Sequence, residues 1–134
     1  MSFSNIAPLS FGGTISGSSP DNGTSWENIL DLDDSDMADF DTDSSTSGTR
    51  DFGQQVYIQK VKGQAGSSNS GADFYIDVSN DNSNWTNIAH WTGDTYRGTP
   101  TSYYDVDGNW RYVRIRKSDF GWHDYRMLEI VGSV

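Results

Sequence analysis

The chain has 134 residues, a formal net charge of −10, 13% aromatic residues and no cysteine. That length suits one domain around one core, and without cysteine there is no disulfide and no thiol chemistry. The acidic balance argues against a nucleic-acid partner, which needs clustered Lys and Arg, and against an anionic membrane surface; no apolar run approaches the roughly 20 residues of a membrane span.

Gly, Ser, Asn, Asp and Thr dominate the composition and helix formers are scarce, which predicts an all-β chain with many loops. Phe3, Ile6, Leu9, Phe11 and Ile15 predict a weak first strand or pair of strands. The start, Met1-Ser2-Phe3-Ser4-Asn5, has no basic region followed by an apolar one, so no secretory signal is read there. Residues 16–25 are a loop of turn formers. Trp26 follows, and then an acidic stretch. From Glu27 to Asp43 it carries eight acidic side chains and no basic one. Such a run is either a solvated, disordered segment or a cation site. Ile29, Leu30, Leu32, Met37 and Phe40 are threaded through it, more large apolar groups than disordered acidic tails carry.

Residues 44–49 read as a second polar loop and 56–61 as a strand. Residues 63–71 read as a Gly/Ser/Asn loop. Phe74, Ile76 and Val78 alternate with Tyr75 and Asp77 as in a half-buried strand. Residues 79–84 make a tight connection, and 85–91 return as the second arm of a hairpin. Residues 93–100 are a loop, 103–106 a short strand, Asp107-Gly108 a turn, and 110–116 a strand. Residues 117–124 are a loop and 125–131 the last strand. About eight short strands at regular spacing predict a sandwich or barrel.

Four segments resemble the discoidin family, which includes the coagulation factor type C domains and the family 32 carbohydrate-binding modules. Residues 51–61 resemble its Asp-Leu-Gly strand, with Phe52 in place of Leu. Residues 74–86 resemble its hairpin, with Asp81-Asn82 where Asp-Gly is usual. Residues 110–116 resemble its Arg-Tyr-Val-Arg-Ile strand, and 128–132 its closing strand. Together they implicate the whole chain, residues 1–134, as a single discoidin-like, galactose-binding-domain-like jelly-roll β-sandwich whose loops at one end bind a ligand, most often a sugar. The resemblance also implies a structural calcium site just before Asp51, with Asn28, Asp31, Asp33 and Asp36 at matching offsets and Glu129 from the closing strand. Leu32 stands where the family has Gly, and Asp36 where it has Thr. Oxygen-rich, closely spaced carboxylates suit calcium. Asp39, Asp41 and Asp43 are then left as solvated charge.

A sugar site needs an aromatic face and a few polar groups. Loop residues are the candidates: Trp122, His123 and Phe120 before the last strand, Tyr96 and Arg97 in the Gly-flanked loop, and Asn22 in the first long loop. Trp26, Trp85 and Trp110 sit at strand positions and read as core. His90 reads as a satisfied polar group, and Arg114 and Arg116 as neutralising nearby acids on the sheet's outer face.

The leading expectation is a non-catalytic carbohydrate-binding or adhesion module, lectin-like, with a glycan or polysaccharide as partner. The alternative is a virion accessory protein, head-decorating or tail-associated, using the same fold for docking or host attachment, with virion or surface proteins as partners and a homo-oligomer as its form. Either way the chain acts outside a cell or on a particle. No nucleophile motif is present and the acids gather in one loop, so no enzyme is expected.

Overall fold

In a computed structural model, which describes residues 2–33, 35–42, 44–68, 72–93, 99–118 and 121–134, the chain forms antiparallel β-structure. The strands are β1 (Ser4–Asn5), β2 (Thr14–Gly17), β3 (Ala38–Phe40), β4 (Thr46–Ser67), β5 (Ala72–Ser79), β6 (Thr86–Gly93), β7 (Tyr104–Lys117) and β8 (His123–Ser133). Among the described residues the helical elements are two 3-10 turns, Leu9–Phe11 and Trp26–Ile29. The strand order is β1-β8-β4-β7-β5-β6, with β2 on β4 and β3 on β8.

One long strand turns this ladder into two layers. The first part of β4 pairs with β2 and with the end of β7, from Thr46 opposite Lys117 to Asp51 opposite Tyr112. Its second part pairs with β8, from Tyr57 opposite Ser133 to Ser67 opposite His123. The register shifts between Asp51 and Val56, and within that gap Gly53 takes a left-handed φ of 76°. The three extra residues on β4 there bend the strand. The layers then face each other: the Phe74 ring of β5 meets Tyr125 of β8 edge-on at 5.9 Å. A Cβ on Gly63 of β4 would lie 3.0 Å from Trp91 and 3.1 Å from Ile76. The core between them holds Ile58, Val61, Phe74, Ile76, Ile115 and Leu128, all fully buried. This is the expected β-sandwich.

Several expected loops are strand. Residues 46–49 belong to β4, because Thr46, Gly48, Arg50 and Phe52 alternate inward although their types read as loop. Gly48 faces Trp26, where a Cβ would come within 2.5 Å of the indole. Arg50 is fully buried and donates to the carbonyls of Ala7, Pro8, Thr14 and Asp51, fastening the N-terminal segment to β4. The strand also runs on through Gly63 to Ser67. Asp107-Gly108 is not a turn between strands but a kink inside β7, with Asp107 at φ 49°. The acidic stretch contains β3, and Asp39 within it is 9% exposed rather than solvated. Trp26 is core as expected, and Trp110 packs partly buried against it. Trp85 instead lies on the outer face of the sheet, edge-on to Tyr112.

Candidate functional site

Register places one set of chain ends together. Phe40 and Ser67 both pair with His123, Thr46 and Phe74 both pair with Lys117, and Ala72 pairs with Gly93. β3, β6 and β7 therefore end, β5 and β8 begin, and the bent β4 both begins and ends at the same end of the sandwich.

Among the described residues Trp122 is the large exposed apolar side chain of that end. Its side chain is 59% exposed, while its backbone is fixed. The Trp122 carbonyl accepts from the Ser68 amide at 2.8 Å and from the Ser68 hydroxyl at 3.3 Å. The preceding Gly121 takes φ 70°, and its carbonyl accepts from Lys117 Nζ at 2.9 Å and from His123 Nδ1 at 3.3 Å. Turn geometry thus presents the indole to solvent while hydrogen bonds hold its base.

His123, expected beside it as a ligand residue, is fully buried in β8. Strand alternation turns its ring inward, where it stacks on Phe40 at 5.2 Å and meets Thr46 Oγ1 through Nε2 at 2.6 Å. Nδ1 faces a carbonyl and so carries the proton, leaving Nε2 to accept from the Thr46 hydroxyl. Burial, then the charge of Lys117, pushes its pKa down to about 4, against a smaller opposing effect of the Gly121 carbonyl. It is a structural residue, not a ligand contact. Asn22, at φ 58°, spends its amide nitrogen on Asp39 (2.8 Å) and Asp41 (3.0 Å), bridging two carboxylates. Tyr96, Arg97 and Phe120 lie outside the described residues.

Solved structures with this architecture have known ligands. A carbohydrate-binding module, CpGH89CBM32-4 of Clostridium perfringens, in complex with GlcNAc-α-1,4-galactose, is 15% identical with a TM-score of 0.76, covering 97% of this chain and 94% of that one. The lectin domain of lectinolysin complexed with Lewis B antigen is 18% identical with a TM-score of 0.67, covering 98% of each chain. Chitosan-binding module 1 from a chitosanase/glucanase of Paenibacillus sp. IK-5 is 19% identical with a TM-score of 0.69, covering 96% of this chain and 99% of that one. This chain has the fold of the family 32 carbohydrate-binding modules. No family model matches the sequence, and no curated protein matches it.

Within this carbohydrate-binding-module fold the acidic loop is a tight, self-bonded turn. Asn28 Nδ2 donates to the Met37 carbonyl at 2.9 Å. Asp31 Oδ1 accepts from the Asp33 amide at 3.0 Å, and Asp33 Oδ1 accepts from the Ser35 amide at 3.0 Å and hydroxyl at 2.7 Å. Leu32, where the family has Gly, takes φ 63°. The Ser35 hydroxyl and amide lower the Asp33 carboxyl. Desolvation, then a hydrogen bond and the charge of Asp31, and the charge of Asp33, raise that of Asp36. Three expected metal ligands therefore crowd together. Glu129 does not join them: it lies opposite Lys62 on β4 and accepts the Tyr103 hydroxyl. The donors are all oxygen, as a hard cation requires, but among the described residues no three acidic or imidazole groups are arranged to hold a metal ion.

The sheet's outer face carries a network that the residue types foreshadowed only in part. Asp77, almost fully buried, sits between Arg114 and Arg116. Burial pushes its carboxyl up, but hydrogen bonds from Arg116, Asn87 and Arg114 outweigh this and hold it below the usual carboxylate range. His90 Nε2 meets Asp73 Oδ1 at 2.9 Å, the satisfied polar group expected of it. Two further buried cations gave no sequence signal: Lys117 falls in the expected loop 117–124 but ends β7, and Arg126 lies on the last strand. Lys117 is 2% exposed, and Arg126 is paired with Asp124 at 2.8 Å. Arg126 Nη1 also reaches the Ser35 carbonyl at 3.4 Å, tying the acidic loop to β8.

Proposed function

We propose that this protein is a non-catalytic glycan-binding module whose ligand docks at the end of the sandwich marked by Trp122. One observation carries the reading: an indole more than half exposed on a backbone pinned from both sides. An indole face stacks on the apolar face of a pyranose, and a rigid base spares the ordering cost of binding. Left without such a partner, a side chain of this size would be expected to fold onto the core. Structures of the same fold that hold GlcNAc-α-1,4-galactose, Lewis B antigen or 4,5-unsaturated mannuronic acid support the choice of ligand class. Both histidines are committed to structural partners, His90 to Asp73 and His123 to Thr46, which favours binding without catalysis. The protein acts where glycans are displayed, outside the cell or on a particle surface.

The reading includes a structural calcium ion at the acidic loop, on Asp31, Asp33 and Asp36 with Asn28. Its support is the clustering of oxygen donors: after desolvation, a hydrogen bond and the charge of Asp31 and the charge of Asp33 raise Asp36, and a divalent cation relieves that part of the shift. It takes no part in ligand contact.

A broad glycan array, probed with folded protein at saturating calcium, tests the function. Binding to a defined set of sugars is expected. Silence across the array, with the thermal transition intact, overturns it.

A further inference from the structure

Beside the loop end, on the outer face of the layer built from β5, β7 and the first part of β4, lies a cleft of 410 Å³. Arg114, Arg116 and Lys117 line it, with Ser45, Ser47 and Ser118. That volume suits a small ligand such as one or two sugar rings. A basic cleft on a chain of net charge −10 asks for a reason.

Neutralising Asp77 accounts for only part of it. Arg114 reaches Asp77 Oδ2 through Nε at 3.1 Å and Nη2 at 3.0 Å. Arg116 reaches Oδ2 through Nε at 2.5 Å and Oδ1 through Nη2 at 3.4 Å. One carboxylate faces two guanidinium groups, so one positive charge is left over. The Nη1 group of each arginine donates to no acceptor among the described residues. Both guanidinium groups are also held flat. Arg114 lies 4.0 Å above the Trp85 ring and Arg116 4.1 Å above Tyr75, which is itself stacked on His90 at 4.6 Å. The arginines are thus fixed in place before any ligand arrives, and the rotamer entropy that an anion would otherwise have to freeze is already lost.

We propose that this cleft binds the acidic group of a saccharide, a carboxylate or a sulfate. The inference rests on the glycan reading for the sugar and on the cleft for the charge. The guanidinium groups supply charge-assisted hydrogen bonds to the anion, the interaction for which arginine is suited. Ser45 and Ser47 line the same space, and serine is a residue type suited to sugar hydroxyls. Lys117, which lines the cleft, also closes the Trp122 turn, so the cleft and the indole lie at the same end of the sandwich.

The test is calorimetric titration of the whole chain with three oligosaccharide sets of similar length: an oligogalacturonate, a sulfated oligosaccharide and a neutral oligogalactoside. Wild type is expected to bind at least one acidic set about tenfold or more tighter than the neutral one; which set wins tells carboxylate from sulfate. Ser45→Glu, at an exposed position outside the Asp77 network, is expected to remove that margin, as is Arg116→Gln. Arg116→Gln leaves Asp77 paired with Arg114 but removes one of its partners, so a single cooperative thermal transition, lowered or not, confirms the fold of both variants. Equal affinity for acidic and neutral sets, or an acidic margin that survives Ser45→Glu in folded protein, overturns the inference while leaving the glycan reading standing. Binding to none of the three, with silence on the array, overturns both.

Discussion

Replacing His123 by Gln separates a structural role from a ligand role. The imidazole is fully buried, stacked on Phe40 and held between the Thr46 hydroxyl and the Gly121 carbonyl. Its pKa of about 4 in the fold lies below the ordinary 6.5 because burial and the neighbouring Lys117 disfavour the charged ring. Between those two values the unfolded chain binds a proton that the folded chain does not. Stability therefore rises with pH across that window and is lost as pH falls from about 6.5 toward 4. The full difference is about 3 kcal/mol, of which about 2.5 kcal/mol is expressed between about pH 7.5 and pH 4.5. The assay is urea unfolding of wild type and His123→Gln at both pH values. The pH-dependent loss is expected to be about 2.5 kcal/mol smaller in the variant, and carboxylates held low, such as Asp77, contribute equally to both. At neutral pH the variant is expected to bind the wild-type glycan within about twofold, since the ring does not reach the surface. Identical pH slopes, or lost binding with stability retained, would refute the reasoning.

Gly48→Ala sets a Cβ 2.5 to 2.7 Å from three atoms of Trp26, which is pinned by Phe40, Tyr125 and the Ser18 carbonyl. A loss of about 2 kcal/mol, or about 8 °C in the thermal transition, is expected. Arg50→Leu removes the buried group that satisfies four carbonyls and is expected to cost about 3 kcal/mol in urea unfolding. Calcium at about a hundred times its dissociation constant is expected to add about 2.7 kcal/mol of stability, and Asp31→Asn is expected to abolish that gain. A thermal transition indifferent to both calcium and chelator removes the ion from the account.

The two-layer architecture was legible because its central strands alternate plainly. Phe74, Ile76 and Val78 point one way and Tyr75 and Asp77 the other, and the structure keeps that pattern in β5. The first part of β4 was not legible. Its inward residues are Thr46, Gly48 and Arg50, each buried for a reason that lies far away in the chain: the hydroxyl pairs with His123 and Tyr125, the glycine makes room for Trp26, and the arginine serves carbonyls of residues 7 to 14. Local residue type carries no such information. The same limit applies to the site. A Trp between Gly121 and His123 was readable as a loop aromatic, and it is exposed. That the very next residue turns fully inward depends on where β8 begins, and element ends are the least certain part of any pattern reading. Arg114 and Arg116 were readable as partners of an acid. Their surplus over the single Asp77, and their seating on Trp85 and Tyr75, depend on cross-strand register.

The most direct test of the central claim is calorimetric titration of the best array ligand into wild type and Trp122→Ala. An exposed indole acting as the stacking platform predicts a loss of about 2 kcal/mol, roughly thirtyfold in affinity, with the thermal transition unchanged. Undiminished affinity in the Ala variant would place the sugar elsewhere on the molecule and contradict the account.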